Sequence, residues 1–209
     1  MKSDSLFLNW ERICLFEIVK EMMLEDYSKE AILKDGTGVS LRPLQQGDTG
    51  LLVEMFNRFS EGDLWFIEGD VTDPEWIESW VKNMAREKMM SIVAVLGDEI
   101  IACGTLKREH YESENHIGKV RISVAPSFRE KHLATWMLLD LINSAIEAGL
   151  ETLVMPLVED RDSSLIRSIE KLEFSKEAVL KKYIKDRAGS PHNLALMIKR
   201  LHQAWEPLK

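Results

Sequence analysis

The sequence is poor in cysteine and lacks a set of zinc ligands at short spacing. Its 209 residues include two cysteines, Cys14 and Cys103, each among apolar neighbours, which favours two reduced, buried thiols over a disulfide framework. A zinc site needs more cysteine or histidine ligands at short spacing than the sequence offers. We therefore expect no metal.

Signals for secretion or membrane insertion are also lacking. Residues 1–5 contain no basic n-region. The apolar stretch at residues 6–24 is interrupted by five charged side chains, so it does not read as a membrane-spanning helix. We expect a soluble, cytoplasmic protein with no membrane partner.

An excess of positive charge is absent too, since the formal net charge is −8. A protein this acidic is a poor candidate for electrostatic binding to nucleic acid or to an anionic membrane. No nucleic-acid partner is expected, whereas basic partners or small amines are less disfavoured.

The first part of the chain has a helical pattern of apolar residues. Within residues 5–26, four of them follow an i, i+4 series: Trp10, Cys14, Ile18 and Met22. Such a helix docks on the same chain, or forms a contact with a second copy or a partner. The turn cluster at residues 34–38 marks a boundary between a helical extension, residues 1–33, and a main domain, residues 34–209.

The main domain alternates between strand and helix patterns. The predicted strands cover residues 39–44, 90–96, 99–108, 118–125, 152–157, 174–185 and 193–200. Two helices follow the first strand, a long one spans residues 131–148, and a short one spans residues 163–172. This order predicts an α/β (α+β) fold with a mixed, mostly antiparallel seven-stranded sheet flanked by helices on both faces.

One strand, loop and helix, at residues 120–138, carries a chemical signal. The helix begins directly after a short basic loop, and a helix start carries partial positive charge and N–H groups without partners. Arg129 and Lys131 add formal charge at that position. The arrangement suits a phosphate or pyrophosphate group of a nucleotide-like ligand.

The same stretch resembles the acyl-CoA signature of the GNAT superfamily of N-acetyltransferases. That signature, V-x-P-x-[YF]-[RQ]-x-x-G-[ILV]-[GA], is similar to Val124-Ala125-Pro126-x-Phe128-Arg129-x-x-x-Leu133-Ala134. Arg42-Pro43-Leu44 followed by Asp48 resembles the opening strand of the family, and residues 170–174 resemble its E-K-L-G-F segment. The order of elements matches from Val39 onward, so the resemblance implies a GNAT-like acyltransferase domain over residues 34–209.

This resemblance implies acetyl-CoA as cosubstrate and a small-molecule or peptide amine as acceptor. The amine would attack the thioester directly, and a backbone N–H near Val124 would stabilise the developing oxyanion. Loop amides would hold the pyrophosphate, and strand backbone would pair with the pantetheine. The cofactor-binding residues that the resemblance implies are Ile122, Ser123, Val124, Arg129, Glu130, Lys131, His132, Leu133, Ala134 and Thr135.

Several positions depart from the family pattern. His132 replaces a glycine that lets the backbone approach phosphate, and its imidazole would either crowd the pyrophosphate or hydrogen-bond to it. Ile169 stands where many members have a tyrosine that protonates the thiolate. Asp162 replaces an asparagine but can cap the following helix, Glu173 replaces a glycine, and Lys119 stands where related sequences often have glutamate.

No catalytic base stands out, so the catalytic residues are unknown at this stage. The candidate bases are Glu68, Glu112, Glu114, His116 and His192, although the sequence favours a loop or turn role over catalysis for each of them. Residues 59–72 either border the acceptor cleft or form a packed loop.

Three functions fit these observations. The first is an acetyl-CoA-dependent N-acetyltransferase acting on a primary amine. The second is a catalytically weak GNAT-like protein that binds acyl-CoA or regulates. The third is an interaction module, with a homodimer formed through the N-terminal helix or a sheet edge.

Overall fold

The computed structural model describes residues 28–84 and 86–201, which form one eight-stranded sheet with helices on both faces. The strands are β1 (Lys29–Ile32), β2 (Gly38–Pro43), β3 (Met89–Leu96), β4 (Glu99–Arg108), β5 (Ile117–Val124), β6 (Thr152–Val158), β7 (Ser175–Lys185) and β8 (Pro191–Arg200). The helices are α1 (Thr49–Phe56), α2 (Glu61–Leu64), α3 (Pro74–Asn83), α4 (Leu133–Glu147) and α5 (Ser163–Glu170).

The strand order is β1-β2-β3-β4-β5-β6-β8-β7. Every neighbouring pair is antiparallel except β5 and β6, which run parallel and are connected through α4. The sheet therefore consists of two antiparallel parts that meet at one parallel pair, as the mixed pattern of hairpins and crossovers predicted.

Two apolar cores lie on opposite faces of the sheet. Helices α4 and α5 pack on one face, where Met137, Leu141 and Ile169 are fully buried. Helices α1 and α3 pack on the other face, where Leu52 and Ile77 are fully buried. The buried residues of each helix recur at helical spacing, so each helix buries one apolar face.

Local sequence signals explain where two of the helices begin and end. The Asp73 carboxylate accepts a hydrogen bond from the N–H of Glu75 at 3.0 Å, and Pro74 occupies the first helical position of α3. Gly149 follows α4 with φ 68°, a left-handed conformation that glycine adopts without steric cost.

The sheet has eight strands rather than the predicted seven. The additional strand, β1, is only four residues long and has no clear alternating pattern, so its assignment depends on pairing with β2. It lies within residues 1–33, so this part of the predicted helical extension is a strand. The predicted boundary between residues 33 and 34 stays a prediction. The helix predicted at residues 5–26 lies outside the described residues, and the homodimer also stays a prediction.

A second difference from the sequence prediction concerns residues 59–72. The sequence predicts no helix there, whereas they contain the short helix α2. Ser60 begins this helix by accepting a hydrogen bond from the N–H of Asp63 at 3.1 Å.

Cys103 is free and buried, and burial raises the pKa of its thiol to about 12. Within the described ranges, no helix is both long and apolar enough to cross a membrane.

Candidate functional site

The parallel strands β5 and β6 pair over three positions and then separate. Residues 117–119 face residues 152–154 in register. Beyond them, β5 continues to Val124 along β4, and β6 continues to Val158 along β8. Paired strands lie about 4.8 Å apart, so the loss of pairing opens a V-shaped gap between the two strand ends. The backbone along such a gap can hydrogen-bond to an extended ligand that carries amide groups.

The strand β5 supplies one side of this gap, which we call the cleft. Ile122 and Val124 pack against the core beneath α4, and both are half-buried. Ser123 pairs with Cys103, whose side chain belongs to the core beneath α1 and α3. Arg121 shares the face of Ser123 because successive residues of a strand alternate between faces.

The loop between β5 and α4 presents a row of backbone N–H groups at the open end of the cleft. The N–H groups of Thr135 and Trp136 donate to the carbonyl of His132, at 3.1 and 3.2 Å. Within the described residues, no acceptor is bonded to the N–H groups of residues 130–134. Because the start of α4 adds partial positive charge, this loop has the properties of an anion-binding site.

Two residues of this loop have left-handed backbone conformations, Glu130 with φ 61° and His132 with φ 67°. Left-handed residues within a loop turn successive N–H groups toward a common point, which produces a concave anion-binding nest. His132 stands at the predicted glycine position, and its side chain is exposed. The backbone therefore keeps the conformation that suits glycine, at a cost of about 1–2 kcal/mol for each non-glycine residue.

The second predicted glycine position has the same property. Glu173 has φ 64°. The ammonium of Lys199 donates to the carbonyl of Leu172 at 2.9 Å and contacts the Glu173 carboxylate at 2.8 Å. Tertiary contacts thus maintain a left-handed turn that the local sequence does not favour.

Both basic side chains of the loop are paired with carboxylates. Arg129 lies 3.0 Å from Asp63 on α2 and donates to the carbonyl of Val124 at 3.1 Å. Lys131 lies 2.9 Å from Asp35 in the β1–β2 turn. The positive charge that the sequence predicts at the loop is therefore largely balanced, and the loop amides remain the principal donors for an anion.

Asp63 joins the two sides of the cleft mouth. It contacts Arg129, which follows β5, and also Arg161, which follows β6, at 2.8 Å. Burial tends to raise the pKa of Asp63. Hydrogen bonds from Arg129, Ser60 and Arg161 outweigh burial and hold that pKa below its ordinary value. Asp63 is consequently an anion at neutral pH and a counterion to both guanidinium groups.

One of the five candidate bases lies beside the splayed part of β5. The carboxylate of Glu68 is 3.1 Å from the guanidinium of Arg121, two residues beyond the last paired residue, Lys119. Gly69 has φ 89°, and a Cβ at this position would lie 1.9 Å from the ring of Trp76. A glycine is therefore required where the chain turns after Glu68.

Three other candidate bases lie before the start of β5, away from the cleft. Glu112 and Glu114 form an exposed 3-10 turn before this strand. The carbonyl of His116 accepts hydrogen bonds from the N–H groups of Glu151 and Thr152, where β5 and β6 are still paired. These residues precede the paired section, whereas the gap opens beyond it. Ile169 is fully buried in the core, so no polar group replaces the tyrosine of the family pattern there.

His192 links two loops at the open end of the sheet. Its Nδ1 lies 2.8 Å from Asp160, and its Nε2 lies 3.2 Å from Asp186. Hydrogen bonds to Asp160 and Asp186 raise the pKa of His192 above its ordinary value. The ring also makes an edge-to-face contact with Phe66, so its role is to join the β7–β8 turn to its neighbours.

Asp162 differs from its predicted role as a helix cap. It precedes α5, but its carboxylate accepts a hydrogen bond from the N–H of Val158 at 2.8 Å and makes none to the helix. Burial raises the pKa of Asp162 despite this bond. In the part of the chain that the structure describes, no group of three histidine, cysteine, aspartate or glutamate side chains is arranged to hold a metal ion.

Sequence reasoning identified the loop and the strand but missed the carboxylates that pair with them. Asp63 is 66 residues from Arg129 along the chain, and Asp35 lies in the turn that was read as a domain boundary. Spacing patterns report on neighbours within one helix or strand. Only a signal that couples distant positions could have indicated these ion pairs.

Comparisons with known proteins agree with this geometry. The family model of the Acetyltransferase (GNAT) family matches residues 52–174, more than half of the chain. The chain belongs to the GNAT acetyltransferase family. Among curated proteins, no sequence matches it.

Solved structures share the fold at low sequence identity. A GNAT-family acetyltransferase from Streptococcus pneumoniae has a TM-score of 0.69 and 20% identity, covering 78% of this chain and 99% of that chain. The yncA protein of Salmonella typhimurium, solved with its cofactor acetyl-CoA, has a TM-score of 0.68 and 17% identity, covering 81% and 97%. A ribosomal-protein-S5-alanine acetyltransferase from Vibrio fischeri has a TM-score of 0.71 and 18% identity, covering 87% and 100%.

Proposed function

We propose that this protein is an acetyl-CoA-dependent N-acetyltransferase that transfers an acetyl group directly to a primary amine. The observation that carries the proposal is the loop between β5 and α4. Its N–H groups at residues 130–134 are bonded to no acceptor within the described residues, and they lie at the mouth of the cleft. Family membership supports the same reaction class.

In this proposal, the loop amides of residues 130–134, at the start of α4, bind the pyrophosphate. The backbone of Ile122, Ser123 and Val124 pairs with the pantetheine along the cleft. Acetyl-CoA supplies the acetyl group as a thioester. A backbone N–H near Val124 stabilises the negative charge that develops on the carbonyl oxygen, and it contributes mainly by being correctly oriented beforehand.

We assign the general base to Glu68, because its carboxylate lies beside Arg121 on the splayed strand. Glu68 would accept a proton from the acceptor ammonium, so that the neutral amine can attack the carbonyl carbon. The nitrogen–carbon bond forms first, and the carbon–sulfur bond breaks as the resulting tetrahedral intermediate collapses. The nitrogen releases its second proton to solvent, which leaves the neutral amide. Since Ile169 offers no proton, the leaving thiolate takes one from solvent.

The binding part of this proposal is tested by isothermal titration calorimetry with acetyl-CoA. Thr135→Glu places a carboxylate at the nest, where it repels phosphate without opposing the charge of the helix start. We expect the Kd to rise at least tenfold, and Asn143→Glu, on an exposed later turn of the same helix, is the matched control. Equal affinity of both variants and the unmodified protein would contradict the assigned site.

A second function has support from a specific observation, the buried Ile169 in place of a proton donor. It is a GNAT-like protein that binds acyl-CoA and transfers the acyl group slowly or not at all. Turnover across a panel of primary amines, followed by release of free thiol, separates the two functions. Binding without thiol release favours the second one.

A further inference from the structure

The loop between β5 and α4, which we call the anion-binding loop, contains two strained residues whose own side chains do not hold them in place. Glu130 and His132 are both left-handed and both exposed. A non-glycine residue keeps this conformation only where its surroundings impose it. The question is which contacts do so.

The peptide between these two residues is held from outside the loop. The carbonyl of Lys131 accepts a hydrogen bond from the N–H of Lys34 at 3.1 Å, and the Lys131 ammonium lies 2.9 Å from Asp35. The backbone and the side chain of one loop residue are thus both bound by the β1–β2 turn. Rotation of either flanking residue would turn the Lys131 carbonyl away from the N–H of Lys34.

The hairpin formed by β1 and β2 is itself attached to the first turns of α4. The indole N–H of Trp136 donates to the carbonyl of Ile32 at 3.2 Å. Lys29 donates to the buried carboxylate of Asp140 at 2.8 Å. These contacts place the hairpin along the helix that begins at the loop.

The hairpin turn is also rigid by its own contacts. Within it, the N–H of Leu33 donates to the carbonyl of Thr37, and the N–H of Thr37 donates to the Asp35 carboxylate at 3.1 Å. Gly36 supplies the left-handed residue that the turn needs, with φ 86°. Leu33 is buried in the core beneath α4. A rigid, anchored turn can impose a conformation on the loop that it contacts.

We propose that the β1–β2 hairpin is a positioning element for the anion-binding loop, and that Asp35 is its positioning residue. This inference rests on the proposed binding of acetyl-CoA. The hairpin lies outside the region that the family model matches, residues 52–174. The hairpin compensates for the missing glycine of the family motif, because its contacts with Lys131 hold His132 in the conformation that glycine adopts freely.

Competition between Asp35 and phosphate for Lys131 would change the Kd for CoA in the opposite direction. If Asp35 merely competed with phosphate for Lys131, its neutralisation would release a cation and lower the Kd for CoA. If Asp35 positions the loop, neutralisation loosens the loop and raises the Kd. The sign of the change in affinity therefore separates positioning from competition.

The test uses the full-length protein and four variants: Asp35→Asn, His132→Gly, the two combined, and Glu78→Gln. Asparagine keeps an oxygen for the N–H of Thr37 while removing the charge. Glu78→Gln is the matched control, since it removes an exposed carboxylate from an ion pair with Lys82 on α3, on the other face of the sheet. We expect Asp35→Asn to raise the Kd for CoA about two- to fivefold, the range for loss of one exposed ion pair.

Rescue by glycine distinguishes positioning from a general structural role. In the His132→Gly background, Asp35→Asn should change the Kd less than twofold, and the effect on turnover should appear in KM rather than in kcat. Hydrogen exchange without ligand should be faster in Asp35→Asn than in Glu78→Gln at the N–H groups of Lys34, Thr135 and Trp136, which donate to the carbonyls of Lys131 and His132. Unchanged exchange together with an unchanged or lower Kd would overturn the inference. If the unmodified protein binds no acetyl-CoA, the proposed function fails, while hydrogen exchange still tests the hairpin contact.

Discussion

At the residue scale, two side chains occupy positions where the family motifs have glycine, and the backbone has not changed to suit them. His132 and Glu173 both remain left-handed. The cost is local, about 1–2 kcal/mol per residue. It is sustained because the flanking residues are fixed by contacts from other elements.

His132→Gly should therefore stabilise the protein by about 1 kcal/mol, because glycine adopts this conformation without strain. Chemical denaturation measures the free energy of unfolding. Gly149→Ala is the converse control. An added Cβ at this position meets no atom within 4 Å, so the left-handed φ of 68° is the only source of strain. That variant should lose about 1 kcal/mol. A loss of stability in His132→Gly would show that the imidazole contributes contacts that outweigh the strain.

Glu68 carries the catalytic prediction at this scale. Glu68→Gln keeps the shape of the side chain but cannot accept a proton, so kcat should fall about 100-fold, a typical contribution of a general base. The measurement is thiol release at saturating acetyl-CoA and amine. Glu114→Gln, before the paired part of β5, is the control and should retain full activity. A kcat for Glu68→Gln within twofold of the unmodified value would exclude this base.

At the element scale, the β7–β8 turn is attached to its neighbours by a titrating group. His192 lies between Asp160 and Asp186, and hydrogen bonds from its ring to both carboxylates raise its pKa above the ordinary value of 6.5. Because the folded state binds this proton more tightly, the stabilising contribution is fully present below the unfolded pKa. It is lost as the pH rises through the higher folded pKa.

We therefore expect the attachment of the turn to weaken as the pH rises above 6.5 and through the raised pKa of His192. The ring resonances of His192, followed by NMR, should titrate above 6.5. In His192→Gln, hydrogen exchange in the turn should depend less on pH over this range. A His192 titration at or below the ordinary value would contradict the two contacts with Asp160 and Asp186.

At the scale of the whole molecule, the sheet is nearly divided into two parts. The β1–β5 part and the β6–β8 part are joined by three paired positions between β5 and β6, together with the helices above them. The Asp63 ion pairs with Arg129 and Arg161 connect the same two parts at the open end. A ligand that fills the cleft would contact both parts and should stabilise the whole fold.

Acetyl-CoA at a hundredfold excess over its Kd should stabilise the protein by about 2.7 kcal/mol. For a chain of this size, that corresponds to a rise in Tm of roughly 5–10 °C. Differential scanning calorimetry measures the shift. Pantetheine, which lacks the pyrophosphate, is the control and should give a much smaller shift at the same concentration. Equal shifts would show that the loop amides contribute little to binding.

The sequence by itself determined the elements and the location of the loop. Helix and strand patterns predicted α1, α3, α4 and α5 and seven of the strands, and residues 124–134 carried the family motif. These features are local, because they depend on side chains within one strand, turn or helix. The eighth strand, β1, was missed because a four-residue strand without an alternating pattern depends on its partner for its assignment.

Only the tertiary structure decided the electrostatics and the backbone strain of the site. The carboxylates that neutralise Arg129 and Lys131, and the position of Glu68 beside Arg121, arise from residues far apart in the chain. The left-handed conformation of His132 runs against its intrinsic preference and exists because other elements hold the loop. Pairings and strain of this kind depend on how elements pack, which one-dimensional patterns do not encode.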